Sequence, residues 1–164
     1  MRLKDRIAIV VGAGQSPGEG MGNGRATAIT FAREGARVLC VDRNLDSARE
    51  AVEMIAAKGG TAAAFEADVT REKDIKAMVA DAQARWGRID ILHNNVGVSL
   101  AGGDAELSAI TEEAIDRVVA INLKSCICAR NARRSISTSP SRKAPGPRSA
   151  RRAARQRKAM TPVP

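Results

Sequence analysis

Short apolar runs alternate with longer amphipathic runs along the first 131 residues of this 164-residue chain. Four of the apolar runs have the length of buried strands: residues 6–11, 36–41, 61–67 and 88–94. The segments between them carry apolar side chains at helical spacing, as at Ala48, Ala51, Val52 and Ile55. This alternation predicts an α/β fold, in which right-handed crossovers place helices on both faces of a doubly wound parallel sheet.

Polar residues mark the predicted helix beginnings. Asn44, Thr70 and Thr111 each precede an amphipathic run, where a side-chain oxygen can accept a hydrogen bond from a free backbone N–H. Gly35 and Gly87 follow the ends of two such runs, as glycine commonly does at helix C-termini. These signals predict separate helices after each of the first four strands.

The composition changes abruptly after Ala132. Between residues 133 and 159 the only large apolar side chain is Ile136, and the rest is mainly Arg, Ser, Ala and Pro. Such a segment cannot bury enough apolar surface to offset the entropy lost on ordering it. We therefore expect an α/β portion over residues 1–131 and a disordered basic tail over residues 132–164.

The net charge of +9 is concentrated in that tail. Eleven of the 27 Lys and Arg residues lie in residues 130–164, which contain no acidic residue, whereas all 18 Asp and Glu residues lie before residue 130. A basic tail can associate with nucleic acid by releasing counterions from phosphates. Since this tail has no aromatic residue for base stacking, any such association is expected to be non-specific.

The cysteine pattern and the hydropathy of the chain indicate where in the cell the protein is expected to lie. No run approaches the eighteen apolar residues of a membrane-spanning helix, and no signal peptide precedes the first strand. The odd cysteine count (Cys40, Cys126 and Cys128) fits reduced thiols in a cytoplasmic protein. Cys126 and Cys128 lack a second cysteine pair at zinc-site spacing, so no metal site is predicted.

Glycines cluster where the first predicted strand leads into the first helix. Gly12 and Gly14 follow the strand, and Gly22-Asn23-Gly24 opens the helix. Glycines allow a tight turn that approaches a pyrophosphate, and the helix N-terminus presents N–H groups and a positive dipole end. Seven residues separate Gly14 from Gly22, however, so an ordinary turn with spare glycines is the alternative.

An acidic residue stands at the tip of the second predicted strand. Asp42 follows Gly24 by eighteen residues, where a carboxylate can accept hydrogen bonds from an adenosine ribose. It would repel a 2′-phosphate, which favours NAD over NADP, although the adjacent Arg43 weakens that argument. Asp42 could instead simply cap the helix that follows, and the two roles are compatible.

Further candidates lie at the ends of the next two strands and on the last helix. Asp68-Val69 follows the third strand, and Asn94-Asn95-Val96-Gly97 ends the fourth, although Asn-Asn-x-Gly is also a common turn. Asn122 lies within the predicted apolar stripe of the last helix, where it needs hydrogen-bond partners and could be structural or catalytic. His93, the single histidine, is expected to be packed rather than catalytic.

Together these residues resemble the short-chain dehydrogenase/reductase family over residues 3–131. The resemblance implies a Rossmann-like sheet ordered 3-2-1-4 and hydride transfer between NAD(H) and a carbonyl or alcohol. The glycine turn and Asp42 would hold the ADP half, Asp68 and Val69 would flank the adenine, and residues 94–97 would shape the cofactor floor. Asn122 would be the asparagine of the catalytic tetrad. Val11 departs from the family pattern, which has Thr there, and Val96 replaces an Ala.

The largest departure is the absence of tyrosine. The family's general acid/base is a Tyr four residues before a Lys, which lowers the Tyr pKa. The fifth strand and the Tyr-bearing helix are also missing, so the sheet is expected to be incomplete and the family's homo-oligomer becomes doubtful. The sequence therefore looks truncated or shifted in reading frame after about residue 131, with an evolved basic tail as the rival view. Such a chain is expected to be inactive, although it retains the elements that bind a dinucleotide.

Overall fold

A computed structural model describes residues 1–15, 18, 20–99 and 106–137. Its four parallel strands are β1 (Ile7–Val11), β2 (Arg37–Asp42), β3 (Thr61–Glu66) and β4 (Ile91–Asn94). They are arranged in the order β3-β2-β1-β4, so the predicted parallel sheet and strand order are confirmed. The predicted tail beyond Ser137 lies outside the described residues.

Helices connect and follow these strands. They are α1 (Asn23–Arg33), α2 (Leu45–Ala56), α3 (Glu72–Trp86), α4 (Glu112–Val119) and α5 (Ser125–Ser137). A short 3₁₀ turn covers Leu107–Ala109, and one π-helical turn, Ala120–Lys124, joins α4 to α5 without a break. No helix in the described part of the chain is long and apolar enough to cross a membrane.

Two of the three predicted helix caps are confirmed. The Asn44 side chain accepts hydrogen bonds from the backbone of Asp46 and Ser47, and Thr111 accepts one from Ala114. The prediction for Thr70 is wrong because Arg71 is the N-cap of α3 and makes no side-chain cap bond. The Thr70 hydroxyl instead donates to the Asp68 carboxylate at 2.7 Å. A threonine side chain can form such a local hydrogen bond in place of a helix cap.

Each face of the sheet buries its own apolar core. Ala8 and Val10 of β1 point to the face covered by α1 and α2, whereas Ile9 and Val11 point to the face covered by α3 and α5. This alternation follows from the two-residue period of a strand. Because β1 and β2 are buried on both faces, they read as continuous apolar runs, and the doubly wound architecture is confirmed.

The fourth strand is shorter than predicted. It begins at Ile91 rather than Arg88, and the side chain of Asp90 contacts the start of β1. The Asp90 carboxylate accepts a hydrogen bond from the backbone N–H of Ile7 at 2.9 Å, and Arg6 and Arg88 both pair with it. Residues 88–90 therefore anchor the strand rather than extend it.

The last helix passes the predicted boundary at residue 131. It continues to Ser137, and Arg133 donates hydrogen bonds to the carbonyl oxygens of Ile89 and Asp90 at 3.2 and 3.0 Å. Ala129 is buried against the α3 face of the sheet. The α/β portion thus includes a helical turn that composition alone assigned to the tail.

Candidate functional site

The carboxyl edge of the sheet carries an open cleft of about 530 Å³. An open α/β sheet binds ligands at this edge, where the strand order reverses on either side of β1. The cleft is lined by Val11, Gly12, Gly14, Gln15, Gly22, Asn23, Gly24, Asp42, Arg43, Asn44, Ala67, Asp68, Val69, Thr70, Asn95, Val96, Gly97, Val98 and Ile121. Nine of the eleven predicted site residues are therefore brought together, and Asn94 and Asn122 are the two that do not line it.

The glycine turn requires its glycines for steric reasons. A Cβ atom on Gly24 would lie 1.8 Å from the carbonyl oxygen of Gly12, so α1 approaches β1 more closely than any side chain permits. Gly12 adopts a φ of +82°, and a Cβ there would lie 2.9 Å from the Val96 side chain. A Cβ on Gly14 would meet the Asp42 carboxylate at 2.6 Å. The turn is thus a backbone cradle that a side chain would fill.

The N-terminus of α1 points its dipole at this cradle. Gly22 is the N-cap, no side chain caps the helix, and its first turn contains no acidic residue. Free N–H groups and a positive dipole end make such a terminus an anion site. The Asn95 side chain donates to the Gly12 carbonyl at 3.2 Å, which fixes the turn from the opposite side.

Asp42 occupies the tip of β2 beside the glycine turn. Its two carboxylate oxygens accept hydrogen bonds from the backbone of Gly14 and Asn44, both at 3.0 Å. Asn44 rather than Asp42 is the cap of α2, which answers the alternative left open by the sequence. Each carboxylate oxygen retains a further acceptor position, so Asp42 can also bind a hydroxyl from the cleft.

Asp68 forms a compact turn after β3. One of its carboxylate oxygens accepts hydrogen bonds from the Thr70 hydroxyl at 2.7 Å and from the Thr70 backbone at 2.9 Å. These bonds are the main reason that the pKa of Asp68 lies below its ordinary value; Arg71 and Arg43 add to the effect, and slight burial opposes it. Asp68 is therefore an anion at neutral pH, next to the half-buried Val69.

The two asparagines that end β4 face different ways. Asn94 pairs in register with Val11 and is exposed, but it does not line the cleft. Asn95 lines the cleft and donates its backbone N–H to the Val11 carbonyl at 2.9 Å. Successive side chains of a strand point to opposite sides, so only one of the pair can reach the site. Gly97, which was also predicted there, lines the cleft.

Asn122 lies on the π-helical turn, exposed rather than within a buried apolar stripe as expected. Its carboxamide oxygen accepts from the Val98 N–H at 2.9 Å, and its amide group donates to the Val98 carbonyl at 2.8 Å. The side chain thus ties the helix to the segment that follows β4. Its neighbour Ile121 lines the cleft, and the predicted catalytic role of Asn122 stays a prediction.

Several cleft residues were missed by the sequence analysis. Gln15, Arg43, Asn44 and Thr70 all line it. All four adjoin a predicted residue or lie two positions from one, so an allowance for turn geometry would have included them. The role of Gln15 depends on contacts across the long turn, which spacing alone does not reveal.

The remaining candidate groups are accounted for by packing. The His93 ring meets the Phe31 ring edge-on, with centroids 6.1 Å apart, in agreement with the predicted packed role. Burial raises the pKa of the Cys40 thiol to about 12, so it stays protonated. Among residues 1–15, 18, 20–99 and 106–137, no cluster of three or more His, Cys, Asp or Glu residues could hold a metal ion.

Comparisons with known proteins agree on one family. Residues 6–136 match the family model described as short chain dehydrogenase. An uncharacterised oxidoreductase of Bacillus subtilis is 38% identical over 75% of this chain. The crystal structure of a short-chain dehydrogenase/reductase from Burkholderia xenovorans superposes with a TM-score of 0.76 at 38% identity, over 82% of this chain.

A third similar structure is a 7α-hydroxysteroid dehydrogenase complexed with NADH and 7-oxo glycochenodeoxycholic acid. It has a TM-score of 0.72 and 33% identity over 80% of this chain. The chain spans about half the length of these proteins: 42% of the Bacillus relative, and 52% and 48% of the two solved structures.

Proposed function

The chain belongs to the short-chain dehydrogenase family, and from this premise we propose that it is the dinucleotide-binding part of an oxidoreductase. Such an enzyme moves a hydride between NAD(H) and a carbonyl or alcohol carbon. The observation that carries the proposal is the close contact of Gly24 with the Gly12 carbonyl, which leaves a backbone cradle at a helix N-terminus. Family membership supplies the reaction class, since the family depends on NAD(P).

The residues present fit a nicotinamide dinucleotide. The N-terminal turn of α1 would hold the pyrophosphate, because it offers backbone donors without a competing acidic side chain. Asp42 would accept a ribose hydroxyl, and Asp68 and Val69 would flank the adenine. Residues 95–97 would form the floor for the nicotinamide half. The bound cofactor supplies the hydride chemistry, and this chain's residues supply binding and orientation.

We propose NAD rather than NADP as the cofactor. A 2′-phosphate placed near Asp42 would meet a carboxylate of like charge, which disfavours NADP. Arg43 also lines the cleft and could offset part of this repulsion. The Asp42 carboxylate is held in place by Gly14 and Asn44, so it cannot turn away without losing two hydrogen bonds. This restraint favours NAD.

We further propose that the 164-residue chain binds the cofactor without turning over substrate. It contains no tyrosine, and no other residue can be assigned the proton transfer that the family's Tyr performs. Asn122, the one residue that matches the family's catalytic set, uses its side chain to hold Val98. A cytoplasmic location is part of this proposal, because Cys40, Cys126 and Cys128 are all free thiols.

The test is a binding titration with NADH in which the fluorescence of NADH reports binding. Gly24→Ala should lower the affinity at least about tenfold, because a methyl group cannot fit against the Gly12 carbonyl and α1 must shift. Gly87→Ala is the control: its φ of +75° makes the substitution cost stability, but nothing lies within 4 Å of the added methyl group and the residue does not line the cleft. The folded Gly87→Ala variant should therefore bind NADH as the wild type does. Absence of NADH binding by the wild type, or unchanged affinity in a folded Gly24→Ala, would refute the proposal.

A further inference from the structure

The side chain of Gln15 bridges the two ends of the extended glycine turn. Its carboxamide oxygen accepts a hydrogen bond from the Gly22 N–H at 2.6 Å. Its amide group donates to the Gly20 carbonyl at 3.0 Å. The donor and acceptor ends of one carboxamide thus match a backbone carbonyl and a backbone N–H, next to the N-terminus of α1.

A buried network holds Gln15 itself in position. Its backbone N–H donates to the Ser47 hydroxyl at 2.6 Å, and that hydroxyl donates to the Gln15 carbonyl at 3.2 Å. Arg25 of α1 is 8% exposed and donates to both the hydroxyl and the carbonyl of Ser47 at 3.1 Å. Arg25 also pairs with Glu50 at 2.8 Å. The network connects α1, α2 and the turn.

These contacts provide what the helix lacks. The N-cap of α1 is Gly22, which has no side chain to accept from the first turn, and the Gln15 carboxamide oxygen instead accepts from the N–H of Gly22 itself. Gln15 binds the N–H that immediately precedes the anion-binding N–H groups of α1. It also lines the cleft, whereas Asp42 and Asp68 reach the cleft from other strands.

We propose that Gln15 is a positioning residue for the pyrophosphate of the dinucleotide. It holds the extended turn so that the first N–H groups of α1 face the phosphates. The inference rests on the proposed function, because it concerns the same cleft. Removing the carboxamide leaves the backbone bond of Gln15 to Ser47 in place, so the effect should be confined to the pyrophosphate end.

The experiment compares Gln15→Ala with Gln83→Ala and the wild type. Gln83 is the matched control because its amide group also donates to a glycine carbonyl, that of Gly87, far from the cleft at the end of α3. Binding of NADH, ADP and adenosine is measured for each protein. Amide hydrogen exchange at Gly22 is measured without nucleotide.

Gln15→Ala should weaken NADH and ADP about tenfold, leave adenosine unchanged and speed exchange at Gly22. Gln83→Ala should change none of these. Equal losses for ADP and adenosine would show a general structural role and overturn the proposal, as would wild-type ADP affinity or unchanged exchange at Gly22. If the wild type binds no nucleotide, the proposed function fails and the pyrophosphate role with it, while the exchange data still show whether Gln15 orders the turn.

Discussion

The carboxylate of Asp42 accepts a hydrogen bond from the backbone N–H of Gly14 at 3.0 Å. This bond joins the tip of β2 to the glycine turn after β1, so a single side chain orders the turn and presents a negative charge to the cleft. A Cβ atom on Gly14 would lie 2.6 Å from the same carboxylate. The shape of the glycine turn and the position of the Asp42 carboxylate are therefore coupled.

This coupling predicts the choice of cofactor. The wild type should bind NADH more tightly than NADPH, and Asp42→Ala should reduce that preference at least about tenfold, because the like charge that faces a 2′-phosphate is removed. Competitive titration of the two cofactors measures the ratio. Asp46→Ala is the control, since Asp46 is an exposed carboxylate on α2 that pairs with Arg49. Tighter binding of NADPH by the wild type, or an unchanged ratio in Asp42→Ala, would contradict the assigned role.

The absence of tyrosine predicts the absence of turnover. With NAD(H) and a panel of alcohols and ketones, the chain should show no cofactor oxidation or reduction above the uncatalysed rate, because it lacks the Tyr that passes the proton in this family. The change in NADH absorbance measures this directly. Robust turnover that disappears in Asn122→Ala would show that another group supplies the proton and that Asn122 belongs to the catalytic machinery.

The lowered pKa of Asp90 predicts a loss of stability in acid. Burial raises the pKa of Asp90, but hydrogen bonds from the Ile7 N–H, Arg88 and Arg6 outweigh it and leave the pKa below its ordinary value. A depressed carboxyl pKa stabilises the fold at neutral pH, and this contribution is lost as the pH falls through the folded-state pKa. Urea unfolding should therefore show that Asp90→Asn destabilises the protein at neutral pH, and that this loss shrinks progressively as the pH falls below the ordinary Asp pKa of about 3.9.

The same measurement on Asp46→Asn provides the comparison. Asp46 lies on the surface, 84% exposed, so its replacement should change the unfolding free energy little at either pH. An equal loss for Asp90→Asn at neutral and acidic pH would mean that shape rather than charge is responsible.

Exposed apolar side chains predict self-association. Ile115, Val119, Leu123 and Ile127 recur every four residues along α4, the π-turn and α5, and each is 45–55% exposed. Within the described residues β4 pairs only with β1, which leaves its other edge open. Size-exclusion chromatography should show concentration-dependent association, and Leu123→Lys with Ile127→Lys should reduce it.

Amide hydrogen exchange tests whether the edge of β4 is open, as this prediction requires. A monomer that strongly protects both residues 88–94 and residues 138–160 would show that the basic segment beyond α5 folds and covers this edge, contrary to the predicted disorder. Association that persists unchanged in Leu123→Lys with Ile127→Lys would instead assign it to the edge of β4 rather than to the helix face.

Local patterns in the sequence determined the strands, their parallel direction, the glycine turn and the caps at Asn44 and Thr111, because each depends on residues that are close in the chain or on general packing rules. The strand order 3-2-1-4 followed from the resemblance to the dehydrogenase family. Tertiary contacts decided the rest. Asp90 shortened β4 by binding Ile7, and Arg133 carried α5 past the predicted boundary by binding the carbonyls of residues 89 and 90. Asn95 rather than Asn94 lines the cleft, because the side chain of Asn95 is the one that reaches the Gly12 carbonyl. Such hydrogen bonds join residues more than forty positions apart, and only the folded chain brings their donors and acceptors together.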